Sequence, residues 1–160
     1  MIGSLGSLPS VPLAPDATPV EEMNRLRAAI GGGPRLVVKR DDTIGFAFGG
    51  NKVRKMRLVA GDALRSGADT LITCGGIQSN HARVTAATAA KLGLRCVLVA
   101  NGVRPERPTA NALLDALVGA QVRYVSSRDE REPEMARAAD ESRAAGSRPY
   151  VIPIGASTPL

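Results

Sequence analysis

The chain has 160 residues, enough for one ordinary domain and too few for two full ones. Hydrophobic residues make up 44 %, which excludes wholesale disorder; aromatics at 2 %, with no Trp, argue against a base-stacking nucleic-acid platform. The formal charge of +6 comes from arginines spread along the chain, since only Lys39, Lys52, Lys55 and Lys91 are lysines, so it describes a modest anion-attracting field and not a DNA-binding arm.

Residues 1–20 carry Pro9, Pro12, Pro15 and Pro19 and read as an irregular leader. They lack the basic start and unbroken apolar stretch of a secretory signal. A helix is expected over 21–30, with Thr18 as N-cap, Pro19 at its first position and Glu21 and Glu22 complementing its positive end. The glycines 31–33 and Pro34 end it. The segment RLVVKR (35–40) is β-rich and has no evident partner.

From residue 52 the pattern becomes regular. Val53, Met56, Val59, Ala60, Ala63 and Leu64 recur at helical spacing, so 52–66 is expected as an amphipathic helix stopped by Gly67. Strands are expected at 70–74, 95–100, 121–125 and 150–154. Helices are expected at 80–92, 111–118 and 132–145, each stopped by a glycine. Strand starts recur every 25 to 29 residues, the length of a strand, a crossover helix and two short loops. The strands are near-continuous apolar runs, which suits a parallel sheet covered on both faces. Cys74 and Cys96 sit inside two of these runs; with no CxxC spacing they read as buried thiols of a reducing, cytoplasmic protein. No apolar run approaches the roughly 20 residues of a membrane helix. The chain stops at GASTPL directly after a strand, which suggests a fragment.

Two segments could carry chemistry. In GGNKVRK (49–55) two glycines lead into a helix that opens on Lys52. Free N–H groups and the partial positive charge of a helix start, with Arg54 and Lys55 beside it, would lower the pKa of Lys52 and make it nucleophilic toward a carbonyl. The alternative is a basic surface turn. In CGGIQSNH (74–81) a strand ends in a glycine turn that opens a helix, offering Gln78, Ser79 and Asn80 at a helix N-terminus to a carboxylate or phosphate. Here the alternative is that Ser79 or Asn80 only caps the helix. His81 is the sole histidine, either a general acid/base or a structural residue. Asp41 and Asp42 point to structural salt bridging. Neither GxxxxGK[ST] nor GxGxxG occurs.

Three segments together are more specific than any one. KRDDTIGFAFGGNKVRK (39–55), DTLITCGGIQSNHARVTAATAAKLGLRCVLV (69–99) and RPYVIPIGASTPL (148–160) resemble, in order and spacing, the pyridoxal-phosphate enzymes of the 1-aminocyclopropane-1-carboxylate deaminase and D-cysteine desulfhydrase family. The resemblance implies an α/β, tryptophan-synthase-β-like fold (fold type II). In that fold a small open parallel-sheet domain is set within a larger one, and the cofactor lies between them. Residues 52–154 would form the small domain, 21–51 a piece of the large one, and 155–160 a truncated return toward it. Family members are much longer, so an N-terminal fragment is expected. By resemblance Lys52 holds pyridoxal 5'-phosphate covalently, and Asn51 and Lys55 lie near its phosphate. Asn80 lies near its ring hydroxyl. Gln78, Ser79 and Asn80 receive the substrate carboxylate, with Ser79 also a candidate acid/base. Ala156 stands where a glycine is commoner. The implied activity is that of a lyase/deaminase on a small amino acid: D-cysteine giving sulfide, ammonia and pyruvate, or a cyclopropane amino acid giving ammonia and an oxoacid. The intact enzyme would be a homodimer that takes no nucleic acid, no membrane and no metal. The competing readings are a catalytically silent remnant and an anion- or nucleotide-binding α/β module.

Overall fold

The computed structural model describes residues 8–15 and 17–157; the expectations for 1–7 and for the end of 155–160 lie outside the described residues. In chain order the elements are β1 (Val20–Glu22), α1 (Asn24–Ala29), β2 (Val37–Lys39), α2 (Asn51–Arg65), β3 (Thr70–Gly76), α3 (Asn80–Leu92), β4 (Arg95–Asn101), α4 (Ala110–Leu117), β5 (Gln121–Val125), α5 (Arg131–Ala144) and β6 (Pro149–Ile152). Short 3-10 turns occupy Asp41–Thr43 and Ile154–Ala156.

β3 to β6 form one all-parallel sheet in the order β5-β4-β3-β6. Alternation along the strands separates two cores. Leu71, Cys96 and Leu98 join Val53, Met56, Val84 and Ala86 on the face covered by α3 and α2. Ile72, Cys74, Val97 and Val99 meet Met135, Ala138 and Ala139 of α5 on the other. Met56, Leu71, Ile72, Leu98 and Ile152 are fully buried, each stabilising the fold by about 1.5–3 kcal/mol relative to exposure. The buried face of α3 carries only Ala, Thr, Val and His81, and its threonines stay satisfied by donating back into the helix, Thr85 to the His81 carbonyl and Thr88 to that of Val84. Small side chains let this helix lie close on the sheet. The expected helices and strands of 52–154 therefore form, with ends shifted by one or two residues. The main shift is at β6, which ends at Ile152, so Ile154 belongs to the turn that follows.

The N-terminal expectations need correction. Residues 20–22 are a strand, not the start of a helix, and the helix is confined to Asn24–Ala29, with Met23 at its N-cap position. RLVVKR does have a partner, because β2 pairs antiparallel with β1, Glu21 opposite Val38. The acids expected at a helix start are instead ion-paired across this ribbon, Glu21 with Arg40 and Glu22 with Arg35. Thr18 does not cap a helix. Its hydroxyl donates to Asp41 Oδ1 at 2.7 Å and accepts from Arg54 Nη2 at 2.9 Å.

Residues 8–13 lie along α2. The Val11 N–H donates to the Arg57 carbonyl, and Val11 and Leu13 enter the core. The Pro9 carbonyl oxygen stands 2.4 Å from where a Cβ on Gly61 would be. Gly61→Ala must therefore push this segment off the helix. Alanine gains about 1 kcal/mol of helix propensity, but undocking Val11 and Leu13 forfeits about 1.5–3 kcal/mol each. The expected net is a loss of about 2–5 kcal/mol, read by thermal denaturation together with faster proteolysis before residue 14. Unchanged stability and proteolysis would show that the segment does not dock.

Candidate active site

Three pieces of chain meet at the carboxyl ends of β3 and β6: the start of α2, the start of α3 and the turn after β6. The first is built by Gly49 and Gly50, at φ 69° and 94°, backbone angles that exclude most side chains. A Cβ on Gly49 would stand 2.8 Å from the Asp41 carbonyl oxygen, which also accepts the Gly50 N–H at 2.7 Å. Gly50 is the N-cap of α2 and offers no side-chain cap, and no acid lies in the first turn. Lys52 is half-buried there, with no hydrogen bond or ion pair among the described residues. Asn51 beside it is exposed.

Arg54 does not act on Lys52 as a free cation. It forms a two-pronged ion pair with Asp41 at 2.8 and 2.9 Å, and with Thr18 it holds the Asp41 carboxyl down to about 2. Asp42 pairs with Arg40. Both acids are thus structural, and Asp41 anchors the glycine turn by backbone and side chain alike. Lys55 donates to the Gly155 carbonyl at 3.1 Å and to Ser157 Oγ at 3.2 Å, tying α2 to the turn after β6. In that turn Gly155 approaches Lys52: its Cβ position lies 3.8 Å from Nζ. Ala156, the departure from glycine, sits at φ 51° with its side chain buried. It holds a left-handed conformation that costs an L-residue about 1–2 kcal/mol.

The α3 start is capped by Ser79, whose Oγ accepts the Ala82 N–H at 3.2 Å, so the capping reading of this residue holds. Its own proton is left to donate outward. Gln78 and Asn80 are exposed. The Gln78 carboxamide turns toward α4, accepting the Asn111 N–H and donating to the Thr109 carbonyl. Asn80 Oδ1 accepts from Asn111 Nδ2.

His81 is buried beneath this surface. Thr73 Oγ1 lies 2.8 Å from both His81 Nε2 and the Ile152 carbonyl. The single Thr73 proton must go to the carbonyl, so Nε2–H donates to Thr73 and Nδ1 is a bare acceptor with no partner among the described residues. Burial, with the charges of Lys52 and Lys55 adding to it, pulls His81 down to about 4, so it is neutral at pH 7. It braces α3 against β3 and β6. Both cysteines are buried free thiols, Cys96 pushed up to about 12 by burial.

Three residues escaped sequence reading, Asn111, Arg83 and Thr73, and so did the contact of Lys55 with the 155–157 turn. Arg83 donates to the Gly49 carbonyl and Asn111 Oδ1 and faces the buried Asp115. Each acts across 30 or more residues in at least one contact, and no local motif marks such a partner. A 290 Å³ cleft at the opposite, amino ends of the strands is lined by Arg95, Arg123, Glu141 and Ser147, which pair with one another or with neighbouring acids; it does not adjoin Lys52. Among the described residues no His/Cys/Asp/Glu group could hold a metal ion, and no helix is long and apolar enough to cross a membrane.

The family model described as pyridoxal-phosphate dependent enzyme matches residues 11–158. A D-cysteine desulfhydrase of Serratia proteamaculans (strain 568) is 44 % identical over 161 residues, covering 98 % of this chain and 48 % of that protein. A 1-aminocyclopropane-1-carboxylate deaminase of Methylobacterium nodulans is 44 % identical over 154 residues, 91 % of this chain and 46 % of that one. A crystal structure of an ACC deaminase homologue superposes with a TM-score of 0.88 at 40 % identity, covering 96 % of this chain and 47 % of its own. The chain spans about half the length of the curated relatives it matches.

Proposed function

The chain belongs to the family of pyridoxal-phosphate dependent enzymes, and from that premise we propose that it carries the lysine-bearing part of a lyase/deaminase site for a small amino acid, of the D-cysteine desulfhydrase or 1-aminocyclopropane-1-carboxylate deaminase kind. The observation that carries this reading is Lys52: an untethered, half-buried cation at an uncapped, acid-free helix start. The neighbouring donors suit the cofactor, because Lys55, the Ser79 hydroxyl and the Asn80 NH2 present cationic or N–H and O–H groups to an anionic aldehyde. Buried His81 adds one bare acceptor below them. When bound, pyridoxal phosphate supplies an electron sink for charge developing at a substrate α-carbon.

The roles of the chain's own residues follow. Lys52 attaches the cofactor and carries a proton at Nζ. Lys55 gives the phosphate a point charge while keeping its hold on the 155–157 turn. Asn51 lies on the phosphate side. Ser79 donates to the substrate carboxylate from an Oγ whose lone pair is engaged by Ala82 N–H, and Asn80 donates to a cofactor oxygen. Gln78, its carboxamide turned to α4, contributes through its backbone. In this reading 52–154 is the small domain and 21–51 belongs to a larger one. The buried thiols suit a reducing cytoplasm.

The four lysines make the test sharp. The protein is incubated with pyridoxal phosphate, reduced with borohydride, digested and mapped by mass spectrometry. The label is expected on Lys52. Label on Lys39, Lys55 or Lys91, or none at all, overturns the assignment. Saturable binding of inorganic phosphate without any label would favour a plain anion-binding module. Release of ammonia from D-cysteine or from the cyclopropane amino acid then decides the substrate.

A further inference from the structure

The start of α4 reaches the α3 turn through one residue. Asn111 Nδ2 donates to the Gln78 carbonyl and to Asn80 Oδ1, both at 2.9 Å. Its backbone N–H donates to Gln78 Oε1 at 2.9 Å, and its Oδ1 accepts from Arg83 Nη1 at 3.1 Å. This carboxamide cannot be turned over: exchange would set its NH2 against the Arg83 guanidinium and its oxygen against two other oxygens. Its orientation fixes that of Asn80, whose Oδ1 is engaged while no described residue accepts from its Nδ2. Ser79 is likewise committed on its acceptor side by Ala82 N–H. The side-chain donors left to the turn are the Asn80 NH2 and the Ser79 hydroxyl proton.

We propose that Asn111 is a positioning residue of this site, turning the Asn80 carboxamide so that its NH2, and not its oxygen, meets an acceptor oxygen of the bound cofactor. The cofactor half of this statement rests on the reading of Lys52 given above; the orientation half stands on the hydrogen bonds alone. Asn111→Asp keeps the shape and replaces both donors by an anionic acceptor, which drives Asn80 to flip or swing away. Arg83 is retained as its partner, so the helix contact survives.

Two measurements on the whole chain test this. In the cofactor-free protein, the Asn80 side-chain amide should give proton–nitrogen NMR signals that shift in both variants, toward the free-asparagine position in Asn111→Ala and away from it in Asn111→Asp, where the flipped NH2 donates to the new carboxylate. Pyridoxal phosphate affinity, titrated by absorbance, should fall about tenfold or more in Asn111→Asp, the loss of a charge-assisted hydrogen bond. The thermal midpoint should stay close to that of the original protein, since the network lies at the surface. The deficit relative to the original protein should shrink as pH is lowered into the carboxyl range, where protonation restores one donor. An unaltered Asn80 signal, or affinity within twofold, overturns the proposal. If the unsubstituted chain takes up no cofactor, the Lys52 reading fails, and the amide spectra still decide the role of Asn111.

Discussion

Gly75→Ala is expected to destabilise the protein by about 3 kcal/mol and to abolish cofactor uptake in the same step. Gly75 is buried in β3, in register with Ala100 of β4, and a Cβ there would stand 2.6 Å from both Cβ and Oγ of Ser79. Neither side can yield cheaply. β3 is held by β4 and β6, and Ser79 caps α3. Relief must displace the turn 76–80, combining an overpacking penalty of about 1–3 kcal/mol with loss of a cap at about 1 kcal/mol. The same shift moves Ser79 and Asn80 off the face they share with Lys52. Gly93→Ala is the control. It sits at φ 69° with nothing within 4 Å, so only backbone strain of about 1–2 kcal/mol is at stake and binding should survive. Urea denaturation and a pyridoxal phosphate titration on both variants read the result. Equal stability for the two would mean the β3–α3 turn is far more pliant than its packing implies.

Between pH 4.5 and 6.5 two buried groups are expected to give stability slopes that nearly cancel. His81 titrates about 4 when folded against an ordinary 6.5, lowered first by burial. As pH falls below 6.5 the unfolded chain takes up this proton and the folded one does not, so stability is lost on acidification. Asp115 is 4 % exposed, lines a cavity of about 10 Å³ with Gly76 and Tyr124, and has no partner for Oδ1. Burial pushes it up to about 7 from 3.8, against the pull of Arg83. Its contribution is whole below 3.8 and is lost as pH rises toward 7. Each slope amounts to about 2–3 kcal/mol across two pH units. The ion-paired carboxylates Asp41, Asp42, Asp62 and Asp69 are held low and titrate beneath this window. Asp115→Asn should therefore expose a protein that gains stability from pH 4.5 to 6.5, and His81→Gln one that loses it. Urea midpoints at five pH values in each variant are the measurement, and parallel profiles would remove both assignments.

What could be read in the sequence follows the range of the forces. The sheet was legible because each strand is an apolar run bounded by glycine stops at a steady period, a signal that needs no distant partner. Lys52, Ser79 and Asn80 stand out as candidates for the same reason, since a glycine pair before a polar helix start is a local pattern. The ribbon of β1 and β2 was not. Thr18, Pro19, Glu21 and Glu22 spell a helix start locally, and Asp41, Arg40 and Arg35, 13 to 23 residues away, take those side chains instead. Asn111 lies 31 residues from Asn80, and Gly155 lies 100 from Lys55. Arg54 reads in the sequence as a charge acting on Lys52, and only the placement of Asp41 beside it shows that it is ion-paired.

The pairing of β3 on its two sides has a temporal meaning. On one side it meets β4, about 25 residues later in the chain; on the other it meets β6, with Thr73 opposite Ile152, 79 residues on. Closing the longer loop carries the larger entropy, and contacts so distant in sequence form slowly. The Lys52 and Ser79 faces can therefore assemble with the early β3–β4 unit, while the turn that engages Lys55 waits for the final strand. Pulsed amide exchange during refolding should protect Val97 and Leu98 before Ile152; simultaneous protection would contradict that order. Until β6 arrives, a nascent chain holds Lys52 and Lys55 without the 155–157 turn beside them, so on the proposed reading of Lys52 the competence to take up cofactor would be a late event in the life of each molecule.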